Sequence, residues 1–444
     1  MRRSNLVALQ LAGLFVVAFT VFAGYYTLFS APSDHWQRLF FRPLKGAAPA
    51  SAGQEIILKP PQDDFRPVIP EAQDLKLYEM APYVAAIMDP ADTVISRLEC
   101  PRTLTHSTRY NHLKSTSSGD TSELKYFFAL HLRNSFPVLP RLLGSVVEAI
   151  QFLGPSACAL SVVDGASDDA TPDILAALRP ELEDLGLRHY FLYSSRISPE
   201  TGDRTVQTAA LRNLALAPLL QTPALTAGPN TTVVFLDAVA ACAEDILELA
   251  HQRALQDADM ACAMDWVYVG ADPTFRDVRG ARTLRGETFF DVPADGSWDW
   301  AWNLFWKDPG TRDRHTSRLP FQAYACWSGA VAFGAAPVLE MQDGKAPFRS
   351  SRDGECSSEE TTLFCKDLWW AGFGKIAVVP SVNLEYSNDA AKMIKDSEGY
   401  TSKWTDKWGD DASKIGWIDE PPEKVKCTPD WGHQSWRPWN ETLV

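Results

Sequence analysis

Three acidic residues each close a short apolar run. Asp164 follows Ala157–Val163, Asp237 follows Val233-Val-Phe-Leu236, and Asp265 follows Met260–Met264. Runs this short, partly β-branched and uninterrupted by charge read as strands buried on both faces. A carboxylate ending such a strand stands at the rim of a parallel sheet, where open α/β folds take their ligands. There it accepts hydrogen bonds from a ribose or a base, or holds a hard cation through oxygen. A cation so placed neutralises a diphosphate as negative charge develops on it. Asp237 is the leading ligand for Mn2+ or Mg2+. The Asp164-Gly-Ala-Ser167-Asp168 turn suits a nucleoside, since glycine permits close backbone approach; an Asx-type turn capping the next helix is its ordinary reading. Asp265 serves as metal ligand, acceptor contact or base, against a purely structural role.

Other side chains offer complementary chemistry. Arg212 on a helical segment presents a guanidinium fork that matches phosphate oxygens, or simply a solvated helix face. Gln322 and Trp327 lie in Pro320–Ala330, where an amide and aromatic rings suit a sugar; core packing is the plain alternative. Glu359 opens a late helix with Ser357 and Ser358, either as a cap or facing the reacting carbon.

These residues need a frame. Strands are expected near 126–132, 157–163, 189–193, 231–239 and 260–269, with helices near 138–152, 171–185, 205–220 and 243–255 between them. This alternation predicts an α/β fold with a mostly parallel central sheet covered on both faces. From 270 to 320 the pattern breaks; a helix returns near 358–371, and a strand near 375–379 stops at Pro380.

Residues 6–29 carry no charge, and at helical rise this run spans roughly 36 Å, enough to cross a bilayer. Arg2 and Arg3 before it orient the chain with its N-terminus in the cytosol and the rest in a lumen. The expected organisation is a cytosolic tail over 1–5, a signal anchor over 6–29, and a stem over 30–75. A catalytic domain over 76–390 and a Trp-rich extension over 391–444 complete it. A lumenal body permits disulfides; Cys356 with Cys365, and Cys100 with Cys427, are the expected pairs among eight cysteines. Sequons at Asn230 and Asn440 are candidate glycosylation sites. A net charge of −14 argues against nucleic acid as the main partner.

With these segments in place, the chain resembles the fungal capsule-associated α-1,3-mannosyltransferase family, glycosyltransferase family 69. The likeness runs from about Tyr83 to Tyr386. It is carried by Arg97-Leu-Glu-Cys-Pro101, Tyr126-Phe-Phe-Ala-Leu130, the Asp164–Thr171 turn, Arg212-Asn213, Phe235-Leu-Asp-Ala-Val239 and Met264-Asp-Trp266. Pro320–Gly329, Glu355-Cys356 and Cys365-Lys-Asp-Leu-Trp369 complete it. The resemblance implies a Golgi type II membrane enzyme with a GT-A-like fold. It further implies a GDP-mannose donor, a mannose-containing glycan acceptor, retention of configuration and dependence on Mn2+ or Mg2+. The turn at Asp164 would face the guanosine. One step departs from the pattern. Asp237-Ala238 stands where the family is expected to carry Asn-Asp, and Val239 falls where an Asp-x-Asp would have its second acid. That departure motivates a second reading, a non-catalytic assembly or export factor with a degenerate site. A glycoside hydrolase with paired carboxylates is a third.

Overall fold

The computed structural model describes residues 77–102, 108–115, 123–340 and 346–443. The anchor expected over 6–29 lies outside them; among the described residues no helix is long and apolar enough to cross a membrane.

The first half is built from strand–helix repeats. Helix α1 (Leu77–Met88) precedes β1 (Leu124–Leu132), α2 (Leu139–Leu153) and β2 (Cys158–Gly165). Two short helices follow, α3 (Thr171–Ala177) and α4 (Arg179–Asp184). The sequence pattern merges them into one helix, but Pro180 starts a new one because it cannot continue the old hydrogen-bond ladder. Next come β3 (His189–Ser195), α5 (Arg204–Gln221), β4 (Ala227–Leu236), α6 (Ala243–Leu255) and β5 (Met260–Val269). The side chain of Asp203 caps α5 by accepting from the backbone N–H of Thr205 and Val206.

The remaining elements are shorter: β6 (Asp272–Phe275), β7 (Arg282–Thr283), α7 (Pro309–Thr316), β8 (Phe321–Ala325), β9 (Ala330–Gly334) and α8 (Ala335–Glu340). After them come α9 (Glu360–Trp370), β10 (Ile376–Leu384), α10 (Asn388–Glu398), α11 (Thr401–Thr405) and α12 (Asp410–Ser413). A hairpin of β11 (Lys424–Cys427) and β12 (Ser435–Pro438) ends the chain.

The large sheet runs β3-β2-β1-β4-β9-β5-β10-β8-β7. Strands β3, β2, β1 and β4 are mutually parallel, as the helical crossovers between them require. Beyond β4 the expected parallel character gives way. Strand β9 inserts antiparallel to both β4 and β5, β8 is antiparallel to β10, and only β10 with β5 is parallel. The sheet is therefore mixed. Strand β10 also runs through Pro380 rather than stopping there, and its pairing with β5 shifts register between Val378 and Asn383.

Side chains of β1 alternate between two cores. Tyr126, Phe128, Leu130 and Leu132 pack with α2 and α6, while Phe127 and Ala129 pack with α5. Burying one such phenylalanine contributes about 1.5–3 kcal/mol, so a helix on each face is what holds these strands flat against solvent entry.

The disulfides differ from expectation. Cys100 pairs with Cys242, Cys262 with Cys326, and Cys356 with Cys427, while Cys158 and Cys365 are buried free thiols. Cys356 precedes α9 and turns outward to the terminal hairpin; Cys365 lies within α9 and faces the core beside the Cys326 carbonyl. Neither is within reach of the partner the sequence reading gave it.

The boundary expected at 390/391 falls inside α10. Lys395 of that helix is fully buried against Asp245 at the start of α6, with Nζ–Oδ1 at 2.6 Å. Truncating Lys395 to alanine leaves Asp245 buried without its counter-ion, held only by the Thr401 hydroxyl and the Cys242 N–H, and should cost about 3–5 kcal/mol in chemical denaturation. An unchanged midpoint would mean that the C-terminal segment is merely appended.

Candidate active site

Strand order places β1 beside β4, and the connection leaving β1 runs to β2 on one side while that leaving β4 runs to β5 on the other. Sheets with this reversal open a crevice above the C-terminal strand ends at that point. Here the crevice is bounded by Leu132–Ser135 after β1 and Asp237 after β4. Asp237 is held tightly. Its Oδ1 lies 2.9 Å from Arg212 Nη1, and its Oδ2 accepts from Arg212 Nη2 at 3.2 Å and the Trp327 indole at 3.0 Å. Its backbone N–H donates to the Gly329 carbonyl. Gly329 has φ of +81°, and a Cβ there would come 2.8 Å from Val239, so only glycine fits this turn.

Arg212 reaches this point from α5. Its Nε also meets Glu360 of α9 at 3.1 Å, and its guanidinium lies 4.4 Å over the Trp327 ring. Burial alone would lower its pKa, but Asp237 and Glu360 more than offset this and raise it. Arg212 therefore positions Asp237, and its fork is already filled by carboxylates. Trp327 is buried among Phe235, Phe348 and Phe364, with only its N–H turned to the site.

A second group of acids lies alongside. The buried Asp265 accepts from the Tyr386 hydroxyl at 2.8 Å through Oδ2, while its buried Oδ1 has no hydrogen-bond partner. Burial first, with Asp237 nearby, pushes its carboxyl up to about 6 despite Arg276 and Tyr386. Asp277, absent from the sequence reading, joins it. Its Oδ2 accepts from Ser328 N–H at 3.1 Å and its Oδ1 from Gly280 N–H at 3.2 Å. Burial, then Asp265 and Glu359, raise Asp277 well above the usual carboxylate range. Two such acids cannot both ionise cheaply. Asp277 sits in no apolar run, so periodicity had no signal for it.

Glu359 is the N-cap residue of α9, yet its side chain makes no capping bond. It is half-buried, 3.9 Å from Arg279 Nε. Capping therefore does not account for it. Arg276, also unread in the sequence, is exposed, with its guanidinium 3.9 Å over the Tyr386 ring. It makes no ion pair among the described residues.

Across the crevice, the Asp164 turn is stitched to the loop after β1. Arg133 donates to the Gly165 and Ala166 carbonyls, Asn134 N–H donates to Ser167 Oγ, and Asp168 N–H donates to Asn134 Oδ1. Asp164 is buried with Oδ1 unpartnered, and burial raises its carboxyl. Asp168 is exposed at the rim. His131 stands beneath, its Nε2 buried without a partner; burial and then Arg212 lower it to about 4.

Gln322 lies elsewhere. Its amide donates to the Gly374 and Ile418 carbonyls and accepts from Ile418 N–H, which commits it to holding the C-terminal segment. Asn230 is exposed near the start of β4, and Asn440 is half-buried after β12. An Asp257-Ala-Asp259 sequence exists, but it precedes β5 at the opposite end from Asp265 and bonds Lys375.

Among the described residues no three His, Cys, Asp or Glu side chains converge as a ligand set. A hard divalent ion fills much of its shell with phosphate and water. The unpartnered Oδ1 of Asp265, in the field of Asp237, fits a contribution of that limited kind.

Residues 125–367 match the protein family described as Cryptococcal mannosyltransferase 1. The chain is 33% identical over 338 residues to alpha-1,3-mannosyltransferase CMT1 of Cryptococcus neoformans var. neoformans serotype D, covering 72% of this chain and 70% of that one. The chain belongs to this mannosyltransferase family and is a glycosyltransferase. Among solved structures, it is 17% identical to Staphylococcus aureus TarS, with a TM-score of 0.34 over 61% of this chain and 62% of that one. It is 13% identical to the mannosyltransferase PcManGT of Pyrobaculum calidifontis in complex with GDP-Man and Mn2+, with a TM-score of 0.33 over 70% and 68% of the two chains. These scores are too low to equate residues.

Two stability measurements test this electrostatic layout. His131 charges at pH 6.5 when unfolded but near 4 when folded, so its contribution is present above 6.5 and lost as pH falls towards 4. His131→Gln should remove about 3 kcal/mol of that acid sensitivity, read as the difference between the two proteins' pH–stability curves. Asp265 has the opposite sign. Its folded value exceeds 3.8, so stability falls as pH rises from 3.8 to about 6. Asp265→Asn, with chelator present, should be more stable than the parent at pH 8 by up to about 3 kcal/mol and no more stable at pH 4.

Proposed function

We propose that this protein is a retaining α-1,3-mannosyltransferase that moves mannose from GDP-mannose to a hydroxyl of a mannose-containing glycan. The observation carrying this is the row of mutually repelling acids at one sheet end, Asp237, Asp265, Asp277 and Glu359, beside the strand-order reversal. The strand order 3-2-1-4 with helices on both faces supports a GT-A-like assignment.

Asp164, Ser167 and Asp168 receive the nucleoside. Asp237 and Asp265 would hold Mn2+ or Mg2+, which when bound offsets the charge on the diphosphate. Arg276, cationic and exposed beside Asp265, approaches the same phosphates from the solvent side. The acceptor oxygen bonds to the mannose anomeric carbon as the bond from that carbon to the β-phosphate oxygen breaks. GDP leaves with the electron pair. The acceptor proton passes to a carboxylate in the row, and Glu359 orients the acceptor. The uncharged run 6–29 would anchor the enzyme in the Golgi membrane, with the described body lumenal and Asn230 and Asn440 available for glycosylation.

Incubation of the purified protein with GDP-mannose and a mannobiose, with and without Mn2+, tests the reading. Mass spectrometry should show one added hexose and release of GDP. Asp265→Asn should reduce transfer by about 100-fold and weaken its response to added Mn2+, as expected for a carboxylate that helps hold the metal on the diphosphate. Binding of GDP without turnover by the parent protein would favour the assembly-factor reading, which the filled Asp237 carboxylate also motivates. Sugar release without any nucleotide would indicate a hydrolase.

A further inference from the structure

The loop between Asp291 and Asp308 sorts its aromatic residues by direction. Trp298 packs edge-on against Phe290 with ring centroids 5.5 Å apart. Phe305 is buried against Phe289 at 4.6 Å and Phe321 at 5.0 Å. Ala301 is buried too. Trp300 and Trp302 point the other way and are 52% and 74% exposed. Their rings lie 6.4 Å apart at 39°. Backbone bonds from Ala301 to Trp298 and from Asn303 to Trp300 hold the turns that present them. Two large indoles held in water on an anchored loop are what a core does not need and a binding surface does.

The loop adjoins the proposed active site. Glu359 neighbours Arg279, whose guanidinium lies 5.6 Å over the Trp431 ring. Trp431 in turn packs against Gly296, where a Cβ would come within 3.0 Å of the indole. Trp431 belongs to the hairpin fastened by Cys356–Cys427, beside Glu359. A strip of acid, cation and indole thus runs from the site to Trp300 and Trp302.

We infer that Trp300 and Trp302 form a platform for the distal sugars of a glycan acceptor, an inference that rests on the transferase reading above. Sugar rings lay their C–H faces on indoles, and the exposed Asp295 and Asp299 accept hydrogen bonds from hydroxyls. A lipid surface would also take indoles, but the loop is acidic. Its lysine, Lys307, is already drawn to Glu287 at 2.8 Å and Asp291 at 3.8 Å. Anionic headgroups therefore find no free cation here.

The test compares the parent with a Trp300→Ala/Trp302→Ala variant on a mannobiose and on a longer mannan oligosaccharide. The variant's KM for the long acceptor should rise roughly tenfold relative to that for the mannobiose, the scale of one lost stacking contact or two. Calorimetric titration of the long oligosaccharide without donor should lose a comparable factor. An unchanged KM ratio together with unchanged titration would overturn the platform. Sedimentation with phosphatidylcholine–phosphatidylserine vesicles that depends on both tryptophans would overturn it in favour of a membrane contact. If the parent transfers to neither acceptor, the transferase reading fails, and the titration alone still decides the platform.

Discussion

Arg212 joins two carboxylates that belong to different parts of the chain, Asp237 after β4 and Glu360 at the start of α9. All three side chains are largely withdrawn from water. Desolvating charges is expensive, and mutual attraction compensates only when geometry and hydrogen bonds are good. Here the aromatic faces of Trp327 and Phe235 complete the enclosure of the cation. Removing Arg212 leaves two buried carboxylates facing each other without a counter-ion, whereas removing either acid leaves a matched pair. This pairing orients Asp237 at the crevice and ties α5, β4 and α9 into one frame.

Next to that paired group lie two acids, Asp265 and Asp277, that make no ion pair among the described residues. Asp265 and Asp277 repel each other, Glu359 adds to the field, and the nearest uncommitted cation is the exposed Arg276. The sheet end is thus electrostatically strained in the direction of binding something positive or releasing a proton. That is a stability cost confined to one edge of an otherwise well-satisfied fold, and such costs concentrate where chemistry occurs. The Ser328-Gly329 turn makes it possible by giving the Ser328 N–H to Asp277 while the Gly329 carbonyl accepts from the Asp237 N–H.

The C-terminal segment also belongs to the frame. Lys395 closes on Asp245, Gln322 on Ile418, Arg282 on the Lys426 carbonyl and Thr428, and Cys427 on Cys356. Such contacts span long sequence separations. They bring a polar, Trp-rich stretch beside Glu359 and set the aromatic strip next to the crevice.

The parallel half of the sheet was legible in the sequence because β1, β2 and most of β4 are apolar on both faces and helical segments separate the strands; those are local patterns. Asp164, Asp237 and Asp265 were legible for the same reason, as polar breaks in apolar runs. The family was legible through ordered motifs. Tertiary structure alone decided the insertion of β9, the disulfide partners, the commitment of Gln322 to the backbone, and the presence of Asp277 and Arg276 in the site. It also decided that Arg212 is spent on carboxylates. Each of these depends on which residues meet across long stretches of chain, and charge pairing, thiol reach and hydrogen-bond satisfaction are set by distances in space that no periodicity encodes.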